Sequence, residues 1–188
     1  NLMAAYLFKN YTINYPNSEH TEECAYMAAY CYYNEAPVYS LDATNTYRAI
    51  KALQSFADTY PQSERVSKCN NLIDELRDRL SLKAFNNAKQ YYTTSNFKSA
   101  IIALNNVLID FPSFKNRQEV HFLIVKSTYL LAINSISTKI YERLQATLEA
   151  YSHFKDNYPN SIYLKELETT YNKTKKTLNQ LKENQDEI

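Results

Sequence analysis

The chain has 188 residues, 45% of them hydrophobic and 22% charged, with 21 Lys and Arg against 20 Asp and Glu for a formal net charge of +1. That balance is globular, and it excludes both a disordered chain and a polyelectrolyte that holds nucleic acid by bulk charge. Glycine is absent altogether, where ordinary usage would supply roughly 13. Gly-rich phosphate loops and Asn-Gly hairpins are therefore excluded, and turns that need a positive φ are expected to be missing.

The first residues, Leu2-Met3-Ala4-Ala5-Tyr6-Leu7-Phe8, already read as helix. The chain is thus expected to start within an element, half a repeat in, with any signal peptide or lipid-bearing leader outside it. Four turns then punctuate the sequence: Asn14-Tyr15-Pro16-Asn17-Ser18, Thr59-Tyr60-Pro61-Gln62-Ser63, Asp110-Phe111-Pro112-Ser113 and Asn157-Tyr158-Pro159-Asn160-Ser161. Their prolines fall 45, 51 and 47 residues apart, a period that marks a stacked repeat protein. Before the first three prolines the same pattern recurs: Ala4, Phe8, Tyr11; Ala49, Leu53, Phe56; Ala100, Leu104, Val107. Offsets of four and seven share one helical face, and proline after an aromatic ends the helix. After three of the prolines a Ser is expected to cap the next helix, with Glu following in Ser18-Glu19 and Ser63-Glu64.

Between Pro61 and Ala84 the apolar residues Val66, Leu72, Ile73, Leu76 and Leu80 keep helical spacing, which predicts one long rod over about 64–93. The last block, about 162–183, reads as a single helix rich in Lys, Thr and Asn, the polar terminal cap that a solenoid needs. Its Lys165, Lys173, Lys175, Lys176 and Lys182 alternate with Glu166, Glu168 and Glu183, as on a solvated surface, though such a face could also meet an acidic partner or anionic lipid. The whole, residues 1–188, is expected to form one domain.

The candidates for chemistry are weak. Cys24 and Cys31 lie seven apart on one helical pattern, about 10.5 Å along its axis, beyond the reach of a disulfide. Cys69 stands alone, and His20, His121 and His153 are scattered singly, so neither a zinc site nor any other cofactor is expected. No Ser/His/Asp or Cys/His arrangement can be assembled, and the pairs Glu22-Glu23 and Asp74-Glu75 are adjacent on helices and expected to point apart. The chain reads as a non-enzyme.

Residues 81–112, with Ala84, Ala88, Tyr91, Phe97 and Ala100 before Pro112, resemble the tetratricopeptide repeat. That resemblance implies an all-α, right-handed α-α superhelix. Where separations exceed its 34-residue period, loop insertions are expected at roughly 34–46 and 134–142. With the Tyr-Pro-x-Ser turns and the run Leu72-Ile73-Asp74-Glu75-Leu76-Arg77-Asp78-Arg79-Leu80 leading into Ala84, Ala88, Tyr91 and Tyr92, the chain resembles the BamD family of outer membrane assembly lipoproteins. The resemblance implies a lipid-anchored protein at the periplasmic face of the outer membrane of a Gram-negative bacterium. Such a protein docks the BamA insertase and receives unfolded outer membrane barrel precursors. Other periplasmic tetratricopeptide adaptors, acting in envelope constriction or peptidoglycan coordination, and peptide-binding co-chaperones share the turn.

In the repeat register, the peptide groove would be lined by Glu23, Tyr26, Tyr30 and Tyr33 in one repeat and by Leu82, Phe85, Lys89 and Tyr92 in the next. Tyr offers a rigid apolar face with one hydrogen-bonding end. The same rings could simply pack against the adjacent helix. The segment Asn34 to Thr46, with Pro37, Tyr39 and Leu41, is a second candidate docking surface, because loops carry recognition.

Overall fold

The computed structural model describes residues 2–186, and among these it contains eight helices and no strand. The helices are α1 (Leu2–Asn14), α2 (Thr21–Asn34), α3 (Thr44–Thr59), α4 (Val66–Thr93), α5 (Phe97–Asp110), α6 (Arg117–Ile133), α7 (Ser137–Asn157) and α8 (Leu164–Asp186). The architecture is that of a tetratricopeptide-like α-α solenoid, as the resemblance implies. By internal contacts the chain forms two compact units, Asn1–Lys83 and Ala84–Ile188, and the continuous helix α4 contributes to both.

In the first unit α2 packs against both α1 and α3. Its core joins Tyr26 and Ala29 of α2, Ala49, Leu53 and Phe56 of α3, and Cys69, Ile73 and Leu76 of α4. In the second unit α5 packs on α6, α6 on α7, and α8 on both α6 and α7. One cluster there gathers Phe85, Leu104, Val107 and Val120; a second joins Val125, Tyr151, Phe154 and Leu167. A third closes the far end with Ala132, Leu144 and Leu178.

The repeated triplet is the core. Ala49, Leu53 and Phe56, like Ala100, Leu104 and Val107, are 3% exposed or less. A fourth copy, Thr147, Tyr151 and Phe154, is buried in the same way. It escapes an apolar pattern because Thr147 is polar, but its hydroxyl donates to the Arg143 carbonyl at 3.0 Å and is satisfied. In α1 the pattern slips: Ala5 is fully buried, while Ala4, Phe8 and Tyr11 are half-buried.

The aromatic-proline stops share one geometry. Tyr60, Phe111 and Tyr158 end their helices at φ near −124 to −135° and ψ near 60 to 71°, outside the helical region that a following proline disfavours. Each amide still donates to the carbonyl four residues back, and Tyr60 and Tyr158 lay their rings on Phe56 and Phe154 with centroids 5.3 Å apart. The serines after them act differently from expectation. Ser18, Ser63 and Ser161 accept from the amides two residues on, at 3.1–3.3 Å, within a turn whose carbonyl is bonded three residues on. The helices begin only at Thr21, Val66 and Leu164. A helical turn intervenes, so Ser shapes the approach to the helix without capping it.

Two further expectations are corrected. The insertion placed at 134–142 is a three-residue connection, 134–136, because the surplus lengthens α7. Ile140, Tyr141, Leu144 and Leu148 keep helical spacing and pack with Ala132 and Leu178, so helix burial outcompetes a loop. A positive φ does occur: Ser95 sits at 61°. Its amide donates to the Tyr92 carbonyl and the Asn96 amide to that of Tyr91, the Schellman closure that ordinarily uses Gly. A residue with a β-carbon is strained there by about 1–2 kcal/mol. Ser95→Gly should therefore stabilise the chain by about 0.5–1 kcal/mol after the entropic cost of Gly, measured as a higher thermal midpoint with unchanged helicity.

Candidate functional site

Tyr26, Tyr30 and Tyr33 recur at i, i+4 and i+7 on α2 and therefore stand in one row. Adjacent rings stack, with centroids 5.9 Å apart for Tyr26 and Tyr30 and 5.8 Å for Tyr30 and Tyr33. Cations of α4 and of the turn before it lie over the faces. The Arg65 guanidinium is 5.2 Å from the Tyr26 ring centre, the Lys68 ammonium 5.5 Å from Tyr30, and the Arg79 guanidinium 5.7 Å from Tyr33. Each such contact contributes up to about 1 kcal/mol at an exposed site. The row is anchored at one end in the core: Tyr26 is 7% exposed and meets Phe56 edge-on at 5.6 Å. Tyr30 and Tyr33 are half-buried and keep part of each ring in solvent.

The other half of the expected groove lies in the second unit. Phe85 is buried against Phe114, with ring centroids 5.4 Å apart. Lys89 pairs with Glu119 at 2.7 Å, and the half-buried Tyr92 meets Phe97 edge-on at 6.1 Å. The six residues thus divide: Tyr26 and Phe85 are core, Lys89 is engaged by a carboxylate, and Tyr30, Tyr33 and Tyr92 present ring surface.

The loop that follows α2 is tied down by side chains of α4 in contacts that sequence spacing did not reveal. Tyr33 Oη donates to Glu75 Oε2 at 2.8 Å, and Arg79 Nη2 donates to Glu75 Oε1 at 2.7 Å. Arg79 Nη1 then donates to the carbonyls of Ala36 and Pro37 at 3.2 and 3.4 Å, and the Lys83 ammonium donates to the carbonyl of Leu41. Desolvation, with the Glu75 contact second, holds the Tyr33 phenol above its ordinary range, while the bonds from Tyr33 and Arg79 hold the Glu75 carboxyl below its own. So strapped, residues 35–43 leave Val38, Tyr39 and Leu41 exposed. The spacing of Arg79 and Lys83 along α4 was visible in the sequence; their partners 42 or 43 residues earlier were not.

The acidic pairs behave unequally. Asp74 meets Arg77 on its own helix while Glu75 turns to α2, so that pair separates. Glu22 and Glu23 instead serve one turn, accepting from Ser63 Oγ at 2.6 Å and Arg65 Nη2 at 3.4 Å. Folding also joins two of the scattered histidines: the rings of His121 and His153 are 5.1 Å apart, and Tyr158 lies 5.6 Å from His121. Among the described residues no group of three or more His, Cys, Asp or Glu could hold a metal ion. Among the same residues, no helix is long and apolar enough to cross a membrane.

Stacked helix pairs joined by short turns and one strapped loop define a helical-repeat protein. A family model described as YfiO, outer membrane lipoprotein, matches residues 2–144. The chain belongs to that family, and no curated protein matches it.

Two outcomes follow from this geometry. Arg79→Ala should leave helicity intact yet speed amide exchange across residues 35–43, read by hydrogen exchange, because both carbonyl anchors at Ala36 and Pro37 go. His121 is held at a pKa of about 4, below its ordinary 6.5, by burial first and then by His153 and Arg117. An unfolded chain binds a proton near 6.5 that the folded one refuses, so this contribution is complete above that pH and is lost as pH falls toward about 4. The urea midpoint should drop between pH 7 and pH 5, and His121→Phe should shrink the drop.

Proposed function

We propose that this chain is a non-catalytic scaffold of the outer membrane β-barrel assembly machinery, a BamD-type lipoprotein that docks the BamA insertase and receives unfolded barrel precursors. The observation that carries the reading is the family match across residues 2–144. In this reading a lipid at the N-terminal side holds the protein to the periplasmic face of the outer membrane. The half-open rings of Tyr30 and Tyr33 supply an apolar face with polar ends, suited to an extended, aromatic-bearing strand of a barrel precursor. The strapped loop at 35–43 presents Val38, Tyr39 and Leu41 on a fixed backbone, so that docking there costs little ordering entropy.

The experiment has two readouts on the same protein. Immobilised chain should retain the insertase's periplasmic domains from solubilised envelopes and should bind a barrel-derived peptide. Tyr30→Ala with Tyr33→Ala should weaken the peptide by at least roughly thirtyfold, the loss expected from a single aromatic anchor of about 2 kcal/mol at about 1.4 kcal/mol per decade. The fold should survive, because the buried Tyr26 is untouched. Retention of neither partner defeats the scaffold reading; normal peptide affinity in the double variant defeats the tyrosine assignment alone.

A further inference from the structure

The first unit carries eight Lys and Arg among residues 2–83, and five of them are engaged. Arg65, Arg77 and Arg79 pair with Glu23, Asp74 and Glu75. Lys68 lies over two tyrosine rings, and Lys83 holds a loop carbonyl. The other three, Lys9, Arg48 and Lys51, have no carboxylate partner among the described residues; Arg48 reaches only the Asn45 amide oxygen, at 3.4 Å. All three line one open trough of about 550 Å3.

The trough is a product of the helix packing. Lys9 comes from α1, Arg48 and Lys51 from α3, and the floor is the stripe Ala25, Ala28 and Ala29 on α2. Small side chains there let an inserted segment approach the α2 backbone closely, which larger residues would prevent. No Asp or Glu lines the trough, so the charges on its walls are of one sign, and a low-dielectric cleft strengthens their pull on an opposite charge. Arg48 and Lys51 are one helical turn apart, a spacing that carboxylates three or four residues apart on a partner helix would match.

We infer that this trough is a docking site for an acidic segment of a partner protein, one in which carboxylates recur at helical spacing between small side chains. The charge supplies the sign of the partner, and the recessed alanine floor requires an occupant that inserts. A flat anionic lipid surface would meet the rim cations but leave the floor empty. The site occupies a different stripe of α2 from Tyr26, Tyr30 and Tyr33, and it does not rest on the function proposed above.

The test uses the full chain and a fluorescein-labelled peptide repeating Glu-Ala-Ala, with Gln-Ala-Ala as its neutral control, read by anisotropy at low and high salt. The Glu peptide should bind and the Gln peptide should not. Lys9→Glu, Arg48→Glu and Lys51→Glu together should lower affinity roughly tenfold or more, and Arg77→Glu, outside the trough, should leave it unchanged. Ala25→Phe fills the floor without altering charge and should abolish binding; Ala52→Phe fills it independently should the first variant lose helicity. Absence of binding by the natural chain, or equal loss in Arg77→Glu, overturns the proposal. So does unchanged affinity in a folded floor-filling variant, which would leave only diffuse attraction. Co-sedimentation with phosphatidylglycerol vesicles that the triple variant loses, without peptide binding, overturns it in favour of a lipid surface.

Discussion

Everything in this fold hangs on where each helix is made to stop. At Tyr60, Phe111 and Tyr158 the aromatic before proline leaves the helical region because the pyrrolidine ring clashes with helical backbone at the preceding residue. It also keeps its own amide bond to the carbonyl four residues back. At Tyr60 and Tyr158 the ring then folds onto a buried Phe of the last turn. A stop that is at once steric, hydrogen-bonded and packed sets the length of α3 and α7 and therefore which residues each presents to its neighbours. Because the same stop recurs, the same triplet recurs behind it, and the core becomes a series of similar layers, as in other repeat proteins where each unit buries its face on the next.

The helix α2 shows how one element serves several surfaces. Its residues fall into two stripes with different chemistry. One is a row of tyrosines overlaid by cations; the other is a row of alanines flanked by cations that have no carboxylate partner among the described residues. Aromatic rings and small side chains are both uncharged, yet the first fill space and the second leave it open. That distinction gives the two stripes different relief: the tyrosines form a ridge of stacked rings, the alanines the floor of a trough.

The loop at 35–43 is an irregular segment whose backbone is bonded to a neighbouring helix. Its backbone carbonyls at Ala36, Pro37 and Leu41 are held by two long basic side chains of α4, and its C-terminal end is turned by Asp42, which accepts from the Thr44 amide at 2.9 Å. With the carbonyls satisfied, Val38, Tyr39 and Leu41 are left outward. An exposed apolar group on a fixed backbone is the usual form of a recognition element.

Much of this was legible in the chain itself. The missing glycine, the four aromatic-proline turns and the offsets of four and seven determine an all-helical repeat, the long helix α4 and the buried triplets, because each is a local rule of backbone sterics or of helical geometry. The family resemblance was carried by the same residues. What local rules could not decide is which of several equally apolar residues turns inward. Tyr26 and Phe85 are core while Tyr30 and Tyr33 keep open ring surface, since their exposure depends on Phe56, Phe114 and the α4 cations, all distant in sequence. The surplus at 134–142 became helix because Ala132 and Leu178 offer Ile140 and Leu144 a place to pack. The meeting of His121 with His153, the grip of Arg79 on Ala36, and the convergence of Lys9, Arg48 and Lys51 are likewise contacts between elements. Sequence spacing specifies the face of a helix; only the packing of neighbouring helices specifies what that face meets.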